Sequence, residues 1–153
     1  MAALNTDPLY SVTPKVSFAL PILLGSQSDG VGVLNTGTIT MYICFASATN
    51  GSFLRETRVK VGSVSGTAGP SAATSMRFYL STVGTGNPTT TANTHPIGEI
   101  QIPAITDSLS VATPDFLIQW NFAIPSSMWL HCNIGVVPGG TSIYQVSTFG
   151  GDF

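Results

Sequence analysis

Side chains able to do chemistry are few in this sequence. It has two histidines, His95 and His131, two cysteines, Cys44 and Cys132, and seven carboxylates scattered from Asp7 to Asp152. Nucleophilic catalysis needs a nucleophile, a base and an orienting acid that converge. Serines and threonines are so common here that one lying near a histidine carries no information. His95 lies in a Thr/Asn/Pro stretch and His131 on the polar side of an alternating run, so both are expected at the surface or in an interface. Cys132 and His131 are chain neighbours, and neighbours on a strand point to opposite faces. Zinc takes about four N, S or O ligands, and two cysteines plus two histidines spread along the chain show no ligand spacing. No DxDxDG calcium loop is present. Two carboxylates suffice for glycoside hydrolysis, which makes Glu56 and Glu99 a formal pair, but Glu56 is flanked by Arg55 and Arg58 and is expected to pair with them. The glycine-rich stretch at 30–37 lacks the lysine and the following helix of a phosphate loop. The expectation is a protein that is not an enzyme and binds no cofactor or metal.

Composition points the same way. Charged residues make up 8% of the 153 residues, against about 25% in an average globular chain. Five Lys and Arg against seven Asp and Glu leave a net charge of -2, so there is no basic footprint for nucleic acid. The apolar fraction of 43% is enough for a core. The apolar stretch 16–24 is interrupted by Pro21, is too short to span a bilayer and has no basic segment before it, so no membrane partner is expected. Cys44 and Cys132 sit in alternating apolar runs without a CxxC motif. They are expected as buried free thiols rather than a disulfide.

The elements that must position these residues are strands. Val16, Phe18, Leu20, Ile22 and Leu24 share one parity, as do Ile39, Met41, Ile43 and Phe45. Met76, Phe78 and Leu80 alternate with Arg77 and Tyr79; Phe116, Ile118, Trp120, Phe122 and Ile124 alternate with Gln119 and Asn121. Met128, Leu130, Cys132, Ile134 and Val136 alternate with His131 and Asn133. Each run places one apolar stripe on a core. Weaker candidates are 31–35, 53–61, 97–102 and 143–149, and no window shows helical spacing. Asn50-Gly51 reads as a hairpin turn, and 62–75, 81–96 and 135–142 read as loops. The fold class is all-β, a two-sheet antiparallel sandwich of jelly-roll type.

Residues 1–14, closed by Pro8 and Pro14, cannot form a helix or a central strand. They are either an extended arm or a frayed terminus; Leu4, Leu9 and Tyr10 favour an arm that docks on a partner. The sandwich domain is then 15–153. Arg55, Arg58, Lys60 and Arg77 are four of the five cations and fall on two strand candidates. They read either as a solvated face or as an inter-subunit strip. Trp120 belongs to a core stripe. Trp129, on the polar side of its run, reads as an interface residue or a sugar-stacking platform, and Tyr79 and loop 81–96 are further stacking candidates.

Five segments together resemble a family of small β-rich proteins of tailed bacteriophages and prophages: FLRETRVKVGSV (53–64), SMRFYLSTVGTG (75–86), GEIQIPAIT (98–106), WNFAIPSSMWLHCNIG (120–135) and the terminal VSTFGGDF (146–153). The shared features are an Arg-x-Lys strand, a strand ending in Pro-Ala, an Ala-Ile-Pro turn and a Gly-Gly-Asp-aromatic terminus. The resemblance covers about residues 50–153. It implies a structural virion protein, in particular a head decoration (cement) protein on the capsid surface, made in the host cytoplasm. Its partners would be the major capsid protein and itself, as a homotrimer. A receptor- or carbohydrate-binding domain of a tail or head fibre is the alternative. On this reading Leu4, Leu9, Tyr10, Arg55, Arg58 and Trp129 are the expected capsid or subunit contacts.

Overall fold

The structure, a computed structural model, describes residues 13–18, 41–63, 71–84, 93–106, 112–136 and 142–153. All regular structure among them is β-strand: β1 (Thr13–Phe18), β2 (Tyr42–Ala46), β3 (Ser52–Ser63), β4 (Thr74–Ser81), β5 (Thr94–Ile102), β6 (Asp115–Ile124), β7 (Trp129–Ile134) and β8 (Ser142–Asp152). They form two four-stranded sheets. Sheet A has the order β1-β8-β3-β6 and sheet B the order β2-β7-β4-β5. Every pairing is antiparallel. Strand 1 lies beside 8, 2 beside 7, 3 beside 6 and 4 beside 5, the pairing a long hairpin acquires when it is rolled up.

The expected sandwich is therefore present. The candidate strand 31–35, the remainder of 16–24 and the arm contacts Leu4, Leu9 and Tyr10 lie outside the described residues. Thr13 and Pro14, which the sequence reading assigned to the arm, pair with Asp152 and Gly151 as the first residues of β1. Pro14 lacks a donor, and β1 is an edge strand, the position that tolerates this.

Alternation fixes the inner faces. Leu54, Val59, Val61, Tyr144 and Val146 of sheet A meet Phe45, Met76, Phe78, Leu130, Cys132 and Ile134 of sheet B, all at most 3% exposed. The inward stripe of β6 packs on this core, with Trp120 edge-on to Phe78 at 5.5 Å. Polar groups on the inner face of sheet A are paired: the Trp120 indole donates to Thr57 Oγ1 at 2.8 Å, and Thr57 shares a 2.9 Å bond with Thr148. Cys44 and Cys132 are buried free thiols, and burial pushes the Cys44 thiol up, reinforced by its hydrogen bond with Cys132.

Three expectations need correction. Asn50-Gly51 does form a turn, with Gly51 at φ +92° and its N–H donating to Ala48 O. That turn is not a hairpin, because β2 and β3 belong to different sheets. The parity assigned to 39–45 fails after Ile43, where the register with β7 shifts. One inserted residue moves the rest of the strand to the other face, so Phe45 reaches the core beside Tyr42. Most consequential is β1: Val16 and Phe18 point to solvent, 47% and 74% exposed, and Lys15 turns inward. Its ammonium donates to Ala46 O at 2.7 Å, pairs with Asp152 at 3.2 Å and lies over the Phe45 ring. A partly buried ion pair with a ring beneath it outweighs the apolar parity.

Candidate interaction surface

The outward face of sheet A is built from alternate residues of four strands, and the register aligns them in rows. Phe18, Ser147, Arg58 and Leu117 form one row across β1, β8, β3 and β6. Val16, Phe149, Glu56 and Gln119 form the next, and Gln145, Lys60 and Asp115 a third. The exposed apolar members stand on the edge strands, Val16 and Phe18 on β1 and Leu117, 46% exposed, on β6. An apolar residue exposed singly needs no explanation, whereas a large contiguous apolar patch is the mark of an interaction surface.

The centre of the face is ionic. Glu56, 7% exposed, receives the Arg58 guanidinium at 2.9 Å and the more distant Arg55 at 3.8 Å. Arg58 also reaches Asp115 at 3.8 Å and lies over the Phe149 ring, 5.6 Å from its centroid. The expected pairing of Glu56 with its flanking arginines is thus present. Arg55 occupies the register shift between Leu54 and Glu56 and extends into solvent. Beside this cluster lies a depression of about 220 Å³ lined by Arg58, Lys60, Asp115, Gln145, Ser147 and Phe149. The side chains of Lys60, Gln145 and Ser147 have no hydrogen-bond or ion-pair partner among the described residues.

The cations do not form the single strip that two neighbouring strands would give. β3 and β4 lie in different sheets, so Arg77 sits on the far side of the sandwich, where it pairs with Glu99 at 3.2 Å. Glu56 and Glu99 consequently face away from each other across both sheets, and no glycosidic bond fits between them.

On the outward side of sheet B the β4–β7 centre is covered, while Glu99 and Gln101 of β5 are exposed. His131 and Asn133 are fully buried, and Tyr79 packs with Met41 at 2% exposure. His131 is thus not the surface residue its polar parity predicted: alternation assigns a side chain to a face but does not say whether that face is covered. Its Nε2 lies 2.9 Å from Val83 O, and burial lowers its pKa from the ordinary value, opposed by that bond. Nδ1 of His131 and both polar side-chain atoms of Asn133 have no hydrogen-bond partner among the described residues. Trp129 is half-buried beneath Gly84, where a Cβ would come 2.5 Å from the indole; a side chain there would have to displace the ring. Tyr79 is buried and offers no open stacking face, while Trp129 is half-buried with Gly84 against one part of its indole.

Of the expected contacts, Arg55 and Arg58 share the outward face of sheet A and Trp129 lies on the opposite sheet. Sequence reasoning placed Lys60 with Arg58 on one outward face but missed Phe18, Leu117 and Phe149 as parts of it, because their union depends on register across strands distant in the chain. Among the described residues no group of three or more His, Cys, Asp or Glu could hold a metal ion, and no helix is long and apolar enough to cross a membrane. Compared with protein families, curated proteins and solved structures, the chain matches none.

Proposed function

We propose that this chain is a structural virion protein that decorates a phage capsid, bridging neighbouring major capsid subunits through the outward face of sheet A. The observation that carries the reading is the reversal of β1, which presents Val16 and Phe18 to solvent in the same rows as Arg58, Leu117 and Phe149. Apolar side chains around an arginine-centred polar cluster are the composition of a protein-binding patch. The Arg-x-Lys strand that carries the family resemblance is the one supplying Arg58 and Lys60 to this face. The rolled-hairpin pairing we read as a jelly roll, an architecture used in capsid-associated domains.

Such a protein needs no chemistry. It stabilises an assembly by binding the assembled lattice and not its dissociated subunits. Strands of 6, 11, 12 and 10 residues at about 3.3 Å per residue and about 4.8 Å spacing give a flat footprint on the order of 600 Å². A standard interface buries about 800 Å² per partner. One face of one copy falls short, so the reading calls for the homotrimer and for residues 1–12, which continue directly from β1, as additional contact.

The test is co-sedimentation with capsids assembled from the major capsid protein encoded with the chain, alongside the solution mass by light scattering. The expected results are saturable binding and a mass about three times 15.9 kDa. Removing residues 2–12, which spares β1, should leave the chain trimeric and weaken binding. A full-length chain that does not sediment with capsids overturns the reading.

A further inference from the structure

The depression on sheet A carries more donors than carboxylates: its one lining carboxylate, Asp115, already faces Arg58 at 3.8 Å. Among the described residues Lys60 has no carboxylate partner, and the Ser147 hydroxyl and Gln145 amide flanking it are unpartnered. Arg58, by contrast, is already held by Glu56 and Asp115, which fixes one wall and leaves Lys60 as the available cation. The face around it carries three cations, Arg55, Arg58 and Lys60, against two carboxylates, Glu56 and Asp115, although the whole chain is net negative. At about 220 Å³ the depression is smaller than the roughly 300–1,000 Å³ of small-molecule pockets and suits a single side chain. Phe18 and Leu117, at the ends of the row that passes through Arg58 and Ser147, stand about 14 Å apart at a strand spacing of about 4.8 Å. An inserted group would therefore be flanked by apolar contacts on both sides.

We propose that the depression receives a carboxylate side chain, from an Asp or Glu flanked by apolar residues on a major capsid subunit, with Lys60 as its counter-ion and Ser147 and Gln145 as neutral donors. This rests on the decoration reading above and names the chemistry of the partner at that face. Charge complementarity selects an acidic partner. The exposed apolar flanks select a protein segment over a free anion.

The experiment measures capsid co-sedimentation of the full-length chain and of Lys60→Glu, Lys60→Gln, Lys60→Arg and Phe18→Ser, with thermal unfolding confirming that each variant is folded. Lys60→Glu should weaken binding at least tenfold, Lys60→Gln and Phe18→Ser severalfold, and Lys60→Arg by less than twofold. Raised salt should weaken the wild type more than Lys60→Gln. If the wild type sediments and Lys60→Glu binds within twofold of it, the carboxylate proposal is overturned while decoration stands. A wild type that fails to bind capsids overturns both. Binding of an acidic glycan on an array, lost in Lys60→Glu, overturns the protein partner in favour of a saccharide. A change of solution mass in Lys60→Glu would make the occupant a second copy instead.

Discussion

On the outer side of sheet B, a histidine and an asparagine are wholly buried with three polar atoms unpartnered among the described residues. On the outer side of sheet A, a phenylalanine is 74% exposed with a valine and a leucine about half exposed. Residue polarity and burial are therefore inverted between the two faces, although both sheets present ordinary apolar stripes to the shared core. Burying a polar group without a partner costs free energy, and so does leaving aromatic surface in water. The first arrangement is tolerated because covering the centre of that side also buries Tyr79, Met41 and Ser81. The second has no compensation within the described residues, and it coincides with the paired charges and the depression. The centre of the outer face of sheet B is thus covered by the fold itself, whereas the outer face of sheet A leaves apolar side chains in solvent.

Substitutions can break this contrast, and the largest effect is expected at Tyr79. Tyr79→Ala removes a buried aromatic side chain and should cost about 3–5 kcal/mol, read as a lower urea midpoint. A loss below about 1 kcal/mol would mean that the centre of that side is not covered. The next effect is an acid dependence centred on His131. Its folded pKa lies below the ordinary 6.5, so the folded state favours neutral imidazole, and its contribution is complete above that value. As pH falls below 6.5 the unfolded chain takes up the proton first, and stability declines by up to about 1.4 kcal/mol per pH unit until the folded pKa is passed. His131→Gln should flatten the melting temperature between pH 5 and 6.5; an unchanged slope would assign it elsewhere.

A smaller change of opposite sign is expected at Asn133. Replacing an unpartnered buried amide with an apolar group of similar size is neutral or stabilising, so Asn133→Leu should hold or raise the unfolding free energy by about 1 kcal/mol. A clear loss would reveal a bridging water. The smallest effect belongs to sheet A: Phe18→Ala should change stability by less than about 0.5 kcal/mol while reducing exposed apolar surface, detectable as weaker binding of a hydrophobic dye. A loss comparable to that of Tyr79→Ala would remove the distinction between the faces.

Strands were legible where alternation was unbroken. The stripes of β4, β6 and β7 follow from period two, and Val59 and Val61 turn inward as Arg58 and Lys60 turn out. The features that escaped are set by partners distant in the chain. The bulge in β2 shifts parity by one residue, and no local signal marks it. The orientation of β1 depends on Lys15 meeting Asp152, Ala46 and Phe45, none of which is near it in sequence. Burial of His131 depends on Val83, in the segment that follows β4. Arg58 with Glu56 was readable because two residues on one strand share a face. The depression was not, since it joins residues of β3, β6 and β8.

The rolled pairing has a consequence for the order of events during synthesis. The β4–β5 pair is the most local one, whereas β1 can be completed only against β8, a separation of 137 residues between Lys15 and Asp152. Folds dominated by such long-range pairings fold on the order of milliseconds to seconds. Sheet A cannot close on the ribosome until the last strand has been made. Until β8 has been made, Val16 and Phe18 of β1 lack their pairing strand, and sheet A once closed still shows both side chains to solvent.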